Sequence, residues 1–315
     1  ATVLDLGVNP DNIIYANPCK PIDHILYARE HGIDMMTFDN MIELLKIYDL
    51  YPEARLVLRL LPDDSHSLMP FGSKFGASFK DAMALIAKCQ DLNINLIGCS
   101  FHVGSGCYSS IAWVEALKLA RTVFDEAEKY GYHFTLLDIG GGFPGVESGP
   151  LKLADIGTDI TPVIDELFPS DVRVIGEPGR YFCTECSTLA VSIVSKRERL
   201  IPGGVGEETV TETQYYVTDG VYGSFNCIIF DHYKPEPIAM APDASTRIAQ
   251  RSTVFGPTCD SMDCIAKGIE LPEMYVGEWL YFESMGAYTI AAASSFNGFA
   301  PPVPLYVMQA TSESS

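Results

Sequence analysis

The chain has 315 residues with 47% apolar and 11% aromatic content, enough to bury one large core or two modest ones. Its formal net charge of −20 argues against a nucleic-acid partner, because phosphate contacts need clustered Lys and Arg. An acidic surface suits solubility or the steering of a small cationic substrate. No segment reaches the roughly 18 uninterrupted apolar residues that span a bilayer, so we expect no membrane segment.

The start of the chain, ATVLDLGVNPDN, lacks the basic and then apolar pattern of a signal peptide. It reads like the middle of a domain, so we expect the true N-terminus to lie elsewhere. Nine cysteines are scattered along the chain, which indicates free thiols in a reducing, cytoplasmic compartment. Cys183 and Cys186 form a Cys-x-x-Cys pair without the further ligands that zinc needs, so we expect no metal.

The first 180 residues alternate short apolar runs with helical patterns, which is typical of βα units and a parallel sheet. Predicted helices run from Pro21 to about Gly32, from a cap at Asn40 to Pro52, from a cap at Ser78, and from about Ser110 to Gly131. The six predicted strands are Ile13–Ala16, Met35–Phe38, Leu56–Arg59, Leu96–Phe101, Phe134–Ile139 and Val172–Glu177.

Six βα strands are too few to close a TIM-type barrel, which uses eight. Two explanations compete: an open doubly wound sheet, or a barrel whose first two strands are absent from this chain. After Arg180 the pattern changes to alternating strands, namely Leu189–Ile193, Tyr215–Val217, Trp279–Phe282 and Leu305–Met308, with a Gly-rich loop over 202–213. We therefore predict two domains, 1–181 and an antiparallel β domain over 182–315.

Three motifs stand at predicted strand ends, where parallel α/β folds place their sites. Gly140–Gly142 follow one strand, and glycines there let backbone N–H groups approach an anion closely, although a tight structural turn explains them about as well. Glu177 and Arg180 follow another strand; together they suit a pyridinium phosphate, or form a plain surface ion pair. His102 ends a third strand and could stack on a planar ring, although a lone histidine is more often structural.

These motifs, taken together, resemble those of the ornithine decarboxylase family of pyridoxal 5′-phosphate (PLP) amino-acid decarboxylases. The resemblance covers nearly the whole chain and rests on the motifs YANPCK at 15–20, FHVGSG at 101–106, GGGFPG at 140–145, EPGRY at 177–181, DGVYGSF at 219–225, FGPTCD at 255–260 and GAYT at 286–289. It implies an incomplete TIM-type (β/α) PLP-binding barrel, a C-terminal β domain and a homodimer with shared active sites.

The resemblance also implies roles for individual residues. Glu177 would pair with the pyridine nitrogen and His102 would stack on the ring, while Cys259 would act as a general acid in the partner subunit's site. Asp231 and Asp260 would grip the distal ammonium of a short cationic amino acid, and Lys74 would form an intersubunit salt bridge with Asp263. The other cofactor-binding positions would be Arg59, Ser105, Gly142, Gly179, Arg180 and Tyr288.

One feature of the family is missing from this chain. Its Schiff-base lysine lies on an early barrel strand, upstream of the motif that begins here at Tyr15, and the fourteen preceding residues contain no lysine. Three hypotheses follow: a partial sequence of an ordinary decarboxylase, a non-catalytic regulator similar to the antizyme inhibitors, or recruitment of Lys20 or Lys74. The cofactor residues are retained, which favours the decarboxylase, with L-ornithine as substrate and putrescine as product. The family's antizyme-binding region aligns with Ile22–Lys46, which is not notably basic.

Overall fold

The computed structural model describes residues 1–63, 65, 67–69, 71–202 and 209–307. The chain divides into two compact units, unit 1 (Ala1–Tyr181) and unit 2 (Phe182–Ser315). No helix among these described residues is long and apolar enough to cross a membrane.

Unit 1 is built on a six-stranded sheet in which every pair of neighbours is parallel. A separate antiparallel pair is formed by β4 (Ser67–Met69) and β6 (Ser105–Cys107). The six strands are β1 (Ile14–Tyr15), β2 (Met35–Phe38), β3 (Arg55–Arg59), β5 (Leu96–Ser100), β7 (Leu136–Asp138) and β8 (Arg173–Ile175). All six predicted strands are therefore confirmed, some of them shorter than expected.

The order of these strands decides between the two fold hypotheses. Across the sheet, the strands lie in the same order as along the chain, β1-β2-β3-β5-β7-β8. A doubly wound sheet reverses its order at a switch point, whereas a barrel adds each strand beside the previous one. Unit 1 is an incomplete TIM-type barrel, and the doubly wound alternative is wrong.

The helices of unit 1 begin where the sequence predicts. Asn40 Oδ1 accepts the Glu43 N–H at 2.9 Å, and Ser78 Oγ accepts the Asp81 N–H at 3.2 Å, which caps α3 and α4. Three helices were not predicted: the short helices α1 and α7, and α6, which contains Pro162. The helices are α1 (Thr2–Asp5), α2 (Ile22–Glu30), α3 (Met41–Leu50), α4 (Phe79–Asp91), α5 (Ser110–Lys129), α6 (Leu153–Leu167) and α7 (Gly179–Cys183).

The two faces of the sheet have different environments. Leu58, Cys99 and Leu137 belong to the large apolar core that includes the buried residues of the helices. Met35 and Val57, on the opposite face, pack in a smaller apolar cluster. That second face is the inner face of the barrel, and its composition changes towards the carboxyl ends of the strands.

Unit 2 contains a six-stranded sheet of order β11-β14-β9-β10-β12-β13, with Tyr215, Phe225 and Phe282 fully buried in its core. A short helix, α8 (Cys227–Phe230), follows β10. The strands are β9 (Leu189–Ile201), β10 (Val210–Val217), β11 (Ile238–Ala239), β12 (Ala249–Phe255), β13 (Cys264–Pro272) and β14 (Trp279–Phe282).

The β domain is confirmed, but its sheet is mixed rather than wholly antiparallel. β10 and β12 are parallel, with Thr213 opposite Ser252, because the connection over residues 218–248 is long enough to return the chain to the same end of the sheet. The predicted strand at Leu305–Met308 is wrong for 305–307, which are extended without a strand partner, and Met308 lies outside the described residues. Half of the predicted 202–213 loop, residues 203–208, also lies outside them, and the loop prediction is wrong for 210–213, because β10 already begins at Val210.

Candidate active site

Polar residues replace apolar ones on the inner face of unit 1 where its strands end. Arg59 on β3 lies opposite Ser100 on β5, and Ser100 lies opposite Asp138 on β7. Asp138 in turn lies opposite Ile175, and Glu177 follows Ile175 by two residues. Residues in register on parallel strands point to the same face, as do residues two apart. We call Arg59, Ser100, Asp138 and Glu177 the inner polar layer.

The glycines after β7 bring three chain segments together. A Cβ on Gly141 would lie 2.7 Å from the Glu177 carbonyl oxygen and 2.9 Å from His102 Nε2. A Cβ on Gly142, whose φ is +92°, would lie 2.1 Å from the Gly104 carbonyl oxygen. The Glu177 N–H also donates to the Gly140 carbonyl at 2.7 Å. The imidazole, the glycine turn and the Glu177 segment therefore meet at one place, which agrees with the prediction of all three at strand ends.

The orientation of His102 follows from its neighbours. Its Nδ1 accepts the Gly104 N–H at 3.0 Å, so in the neutral ring the proton resides on Nε2. The Phe71 ring packs at 5.0 Å between centroids, tilted by 57°. The imidazole is held from two sides and its Nε2 edge lies towards Gly141.

A cation and a hydroxyl lie beside this turn. Arg180 Nη2 donates to Ser105 Oγ at 2.9 Å, and Ser105 is buried. Gly179 opens α7; its N–H donates to the Glu177 carbonyl at 2.8 Å, and the space a Cβ would take has no atom within 4 Å. A guanidinium, a hydroxyl and free space beside a glycine are what an anionic group would require.

Burial shifts the acid–base properties of the inner polar layer. Desolvation, and then the Glu177 charge, raise the pKa of Asp138 to about 8. Burial also raises the pKa of Glu177, against the opposing effects of Asp138 and of the Arg59 guanidinium. The pKa of Arg59 is lowered by burial, with Glu177 as the largest opposing charge. Such clustered shifts are typical of functional sites.

Two predicted residues of unit 2 lie in the turn between β12 and β13. Asp260 accepts hydrogen bonds from the Tyr222 hydroxyl and from the Met262 N–H, and the Met262 bond is the larger cause of its lowered pKa. The exposed thiol of Cys259 donates to Asn297 Oδ1 at 3.7 Å. Asp260 is therefore held as a carboxylate next to a thiol that is oriented by an amide.

The other two predicted residues of unit 2 lie on separate segments. Asp231 follows α8 and is half-buried, and Tyr288 is 53% exposed in a left-handed conformation with φ of 54°. A small surface depression is lined by other residues, among them Asp219, Tyr222 and Phe296. The roles assigned to the four predicted residues of unit 2 stay predictions.

The two lysines considered as replacements for the Schiff-base lysine have different surroundings. Lys20 Nζ is fully buried and bonds to Glu43 Oε1 at 2.9 Å and to the Thr37 carbonyl at 2.6 Å. Lys74 is exposed, 4.8 Å from the centre of the Phe75 ring. The contacts of Lys20 fully occupy its ammonium and indicate a structural role rather than a replacement for the Schiff-base lysine.

Asp263, the proposed partner of Lys74, is only 1% exposed. Its Oδ1 accepts the Val221 N–H at 2.8 Å, and its Oδ2 accepts both the N–H and the hydroxyl of Thr258. The carboxylate thus joins two loops of its own unit, and an intersubunit ion pair with Lys74 stays a prediction.

Sequence reasoning missed four residues of these sites: Ser100, Asp138, Tyr222 and Asn297. Asp138 stands at a strand end two residues before the glycine cluster, and that position was the available signal. Tyr222 and Asn297 gave no comparable signal, because their contacts to Asp260 and Cys259 join positions 38 residues apart.

Comparison with known proteins agrees with the geometry. Residues 1–184 match the model of the pyridoxal-dependent decarboxylase family's pyridoxal-binding domain. Antizyme inhibitor 2 of Xenopus laevis is 47% identical and ornithine decarboxylase of Mus musculus 48% identical, each over 97% of this chain and 68% of the relative.

Among solved structures, the arginine decarboxylase of Paramecium bursaria Chlorella virus bound to agmatine superposes with a TM-score of 0.87 at 35% identity. The match covers 94% of this chain and 77% of that one. Fold, site residues and sequence identity lead to the same conclusion: this chain belongs to the pyridoxal-dependent decarboxylases, whose cofactor is PLP.

Proposed function

We propose that this protein catalyses the PLP-dependent decarboxylation of L-ornithine to putrescine, a step of polyamine biosynthesis, as a cytoplasmic homodimer with shared active sites. The observation that carries the proposal is the meeting of Glu177, His102 and the Gly140–Gly142 turn above the inner polar layer. Relatives named ornithine decarboxylase, 48% identical over nearly the whole chain, support the choice of reaction.

The residues of unit 1 fit the cofactor. A pyridine nitrogen needs an acidic partner, and Glu177 stands on the inner face, where the Arg59 charge lowers its pKa against the effect of burial. A phosphate needs cations and hydroxyls, and Arg180 and Ser105 are already joined by a hydrogen bond at the glycine turn. The open volume at Gly179 leaves room for an anionic group beside them.

When bound, PLP supplies an electron sink that lets CO₂ leave the α-carbon of the amino acid. Glu177 keeps a proton on the ring nitrogen, and His102 packs on the ring with its Nδ1 fixed by Gly104. Arg180 and Ser105 hold the phosphate, with Gly142, Gly179 and Tyr288 as further contacts.

The residues of unit 2 act on the substrate. Cys259 delivers a proton to the α-carbon once CO₂ has left, as a general acid. Asp231 and Asp260 bind the distal ammonium, and the lowered pKa of Asp260 keeps it charged. A substrate without that ammonium would leave two carboxylates unpaired, which accounts for selectivity toward a diamino acid.

Release of CO₂ from carboxyl-labelled amino acids tests the proposal. Because the fourteen residues before Tyr15 contain no lysine, the assay uses the full-length protein rather than these 315 residues alone. That protein is purified with added PLP and incubated with L-ornithine, L-lysine or L-arginine, and an E177Q variant serves as the site control. We expect release from ornithine to exceed release from the other two, and to fall at least about 100-fold in E177Q. Absence of release from all three amino acids would contradict the proposal.

A second candidate function is regulation without catalysis, favoured by the relative named antizyme inhibitor 2. Helices α2 and α3 expose apolar side chains: Ile22 is 56% and Ile42 82% accessible, and Leu26 and Leu45 are also exposed. Exposed apolar side chains on neighbouring helices suit a protein partner. Antizyme binding that is weakened by I42D, combined with no CO₂ release and no borohydride-fixed PLP on any lysine, would establish this second function instead.

A further inference from the structure

Asp138 is a buried carboxyl that has no assigned role in the proposed reaction. It ends β7, is 1% exposed and points to the inner face of unit 1. Its Oδ1 accepts the Gly140 N–H at 2.9 Å, which fixes the first residue of the glycine turn. Its Oδ2 is buried and receives no N–H or O–H donor from the residues that the structure describes.

A second carboxyl projects from the same face of the sheet. Asp138 lies opposite Ile175, and Glu177 projects from the same face two residues later. The Glu177 carboxyl is close enough to raise the pKa of Asp138, by its charge and by a side-chain contact. Two carboxylates have only acceptors, so that contact requires one proton between them.

The position of each carboxyl indicates which of them carries the proton. Asp138 lies deeper, and its second oxygen has no donor in the described part of the chain, so ionisation there would leave a charge poorly solvated. Glu177 is less buried and is stabilised as an anion by Arg59. A protonated Oδ2 that donates to Glu177 satisfies both groups.

We propose that Asp138 is a positioning residue for Glu177: a neutral acid whose Oδ2–H donates to the Glu177 carboxylate and aims it at the cofactor's ring nitrogen. This inference rests on the proposed function of Glu177, but the location of the proton does not. The proton stays between the two carboxyls, so no group is consumed or released.

The other charges around the pair are consistent with this assignment. Arg59 faces it from β3, Asp39 lies beyond β2 on the far side of Arg59, and His102 lies by the Glu177 backbone. The net effect on Asp138 is a raised pKa of about 8, caused first by burial and next by the Glu177 charge. Asp138 is then largely protonated at neutral pH.

Two substitutions separate a neutral acid from a charged one. In D138N, the amide oxygen can still accept the Gly140 N–H and the amide N–H can still donate to Glu177. In D138A, both contacts are lost. A neutral Asp138 therefore predicts that D138N behaves like the native protein, whereas a charged Asp138 predicts that D138N behaves like D138A. D91N, at an exposed position at the end of α4, is the matched control.

The first measurement needs no cofactor. Infrared spectra of the purified chain at about pH 6, below the Asp138 pKa of about 8, are compared between the native protein, D138N and D91N. We expect a protonated-carboxyl band that D138N lacks and D91N keeps. A native spectrum with only ionised carboxylates would overturn the inference, whatever the protein catalyses.

The second measurement is the dissociation constant for PLP, obtained by fluorescence titration. We expect D138N to bind within about threefold of the native protein and D138A at least about tenfold more weakly, as for a lost hydrogen bond to a charged group. Equal weakening in both variants would contradict the inference. If D138A does not fold, the D138N affinity and the infrared band still decide the question.

Discussion

Substitution of Gly142 by alanine tests the packing of the glycine turn against the His102 segment. At φ of +92° a Cβ is strained, by about 1–2 kcal/mol. The added Cβ would also lie 2.1 Å from the Gly104 carbonyl oxygen, whereas real contacts essentially never fall below 3.0 Å, so the two segments must separate by at least 0.9 Å. Overpacking of this kind costs about 1–3 kcal/mol.

The two effects together predict that G142A lowers the free energy of unfolding of unit 1 by about 2–5 kcal/mol. Urea unfolding followed by tryptophan fluorescence measures this directly. In a W279F background, Trp113 is the remaining tryptophan of the chain and reports unit 1. PLP affinity should fall as well, because Gly104 fixes His102 Nδ1.

The matched control is G157A. Gly157 lies inside α6, and an added Cβ there would meet no atom within 4 Å. We expect a stabilisation of about 0.5–1 kcal/mol from the better helix propensity of alanine. A G142A protein that is as stable as the native one, with unchanged PLP affinity, would refute the close approach described here.

Three further predictions follow from the structure. K20M should cost about 1.5–3 kcal/mol of stability in urea unfolding, because it removes one of the two cations on the buried Glu43 carboxylate and leaves only Lys46, whereas K118M, at an exposed pair, should cost under about 1 kcal/mol. Raising the pKa of Asp138 from 3.8 to about 8 means that the folded state holds a proton the unfolded state releases, so stability should fall as pH rises from about 4 to about 8. The total loss over this pH range is at most about 6 kcal/mol. Urea unfolding at several pH values should show that D138N lacks this pH dependence. C259A should lower CO₂ release by about 100-fold or more, whereas C19A, at another exposed thiol, should leave it unchanged.

The barrel of unit 1 was predictable because its strands are short apolar runs bounded by turn residues. A run such as Met35–Phe38 is buried at every position, and its bounds match the prediction. Helix starts were predictable for a local reason, since Asn40 and Ser78 cap through bonds three residues away.

The sheet of unit 2 was harder to predict because its later strands mix exposed charge with small polar residues. β12 and β13 were missed entirely; each bears a register shift, and Gly268 interrupts β13. The parallel pairing of β10 with β12 depends on a long connection, which no local pattern encodes.

The residues of the candidate site were predictable where a motif marks a strand end, as for His102 and Glu177. The proton carried by Asp138 was not, because it depends on the register that places Asp138 and Glu177 on one face and on the burial of both. The spacing of residues in the sequence shows neither the strand register nor the burial.

Nitrogen NMR of ¹⁵N-labelled PLP bound to the chain tests the central claim most directly. If the inner polar layer of unit 1 holds the cofactor, the ring nitrogen should be protonated in the native protein and unprotonated in E177Q, since only the carboxylate can hold that proton. A bound ring nitrogen whose protonation is the same in both proteins, or no binding at all, would contradict the account.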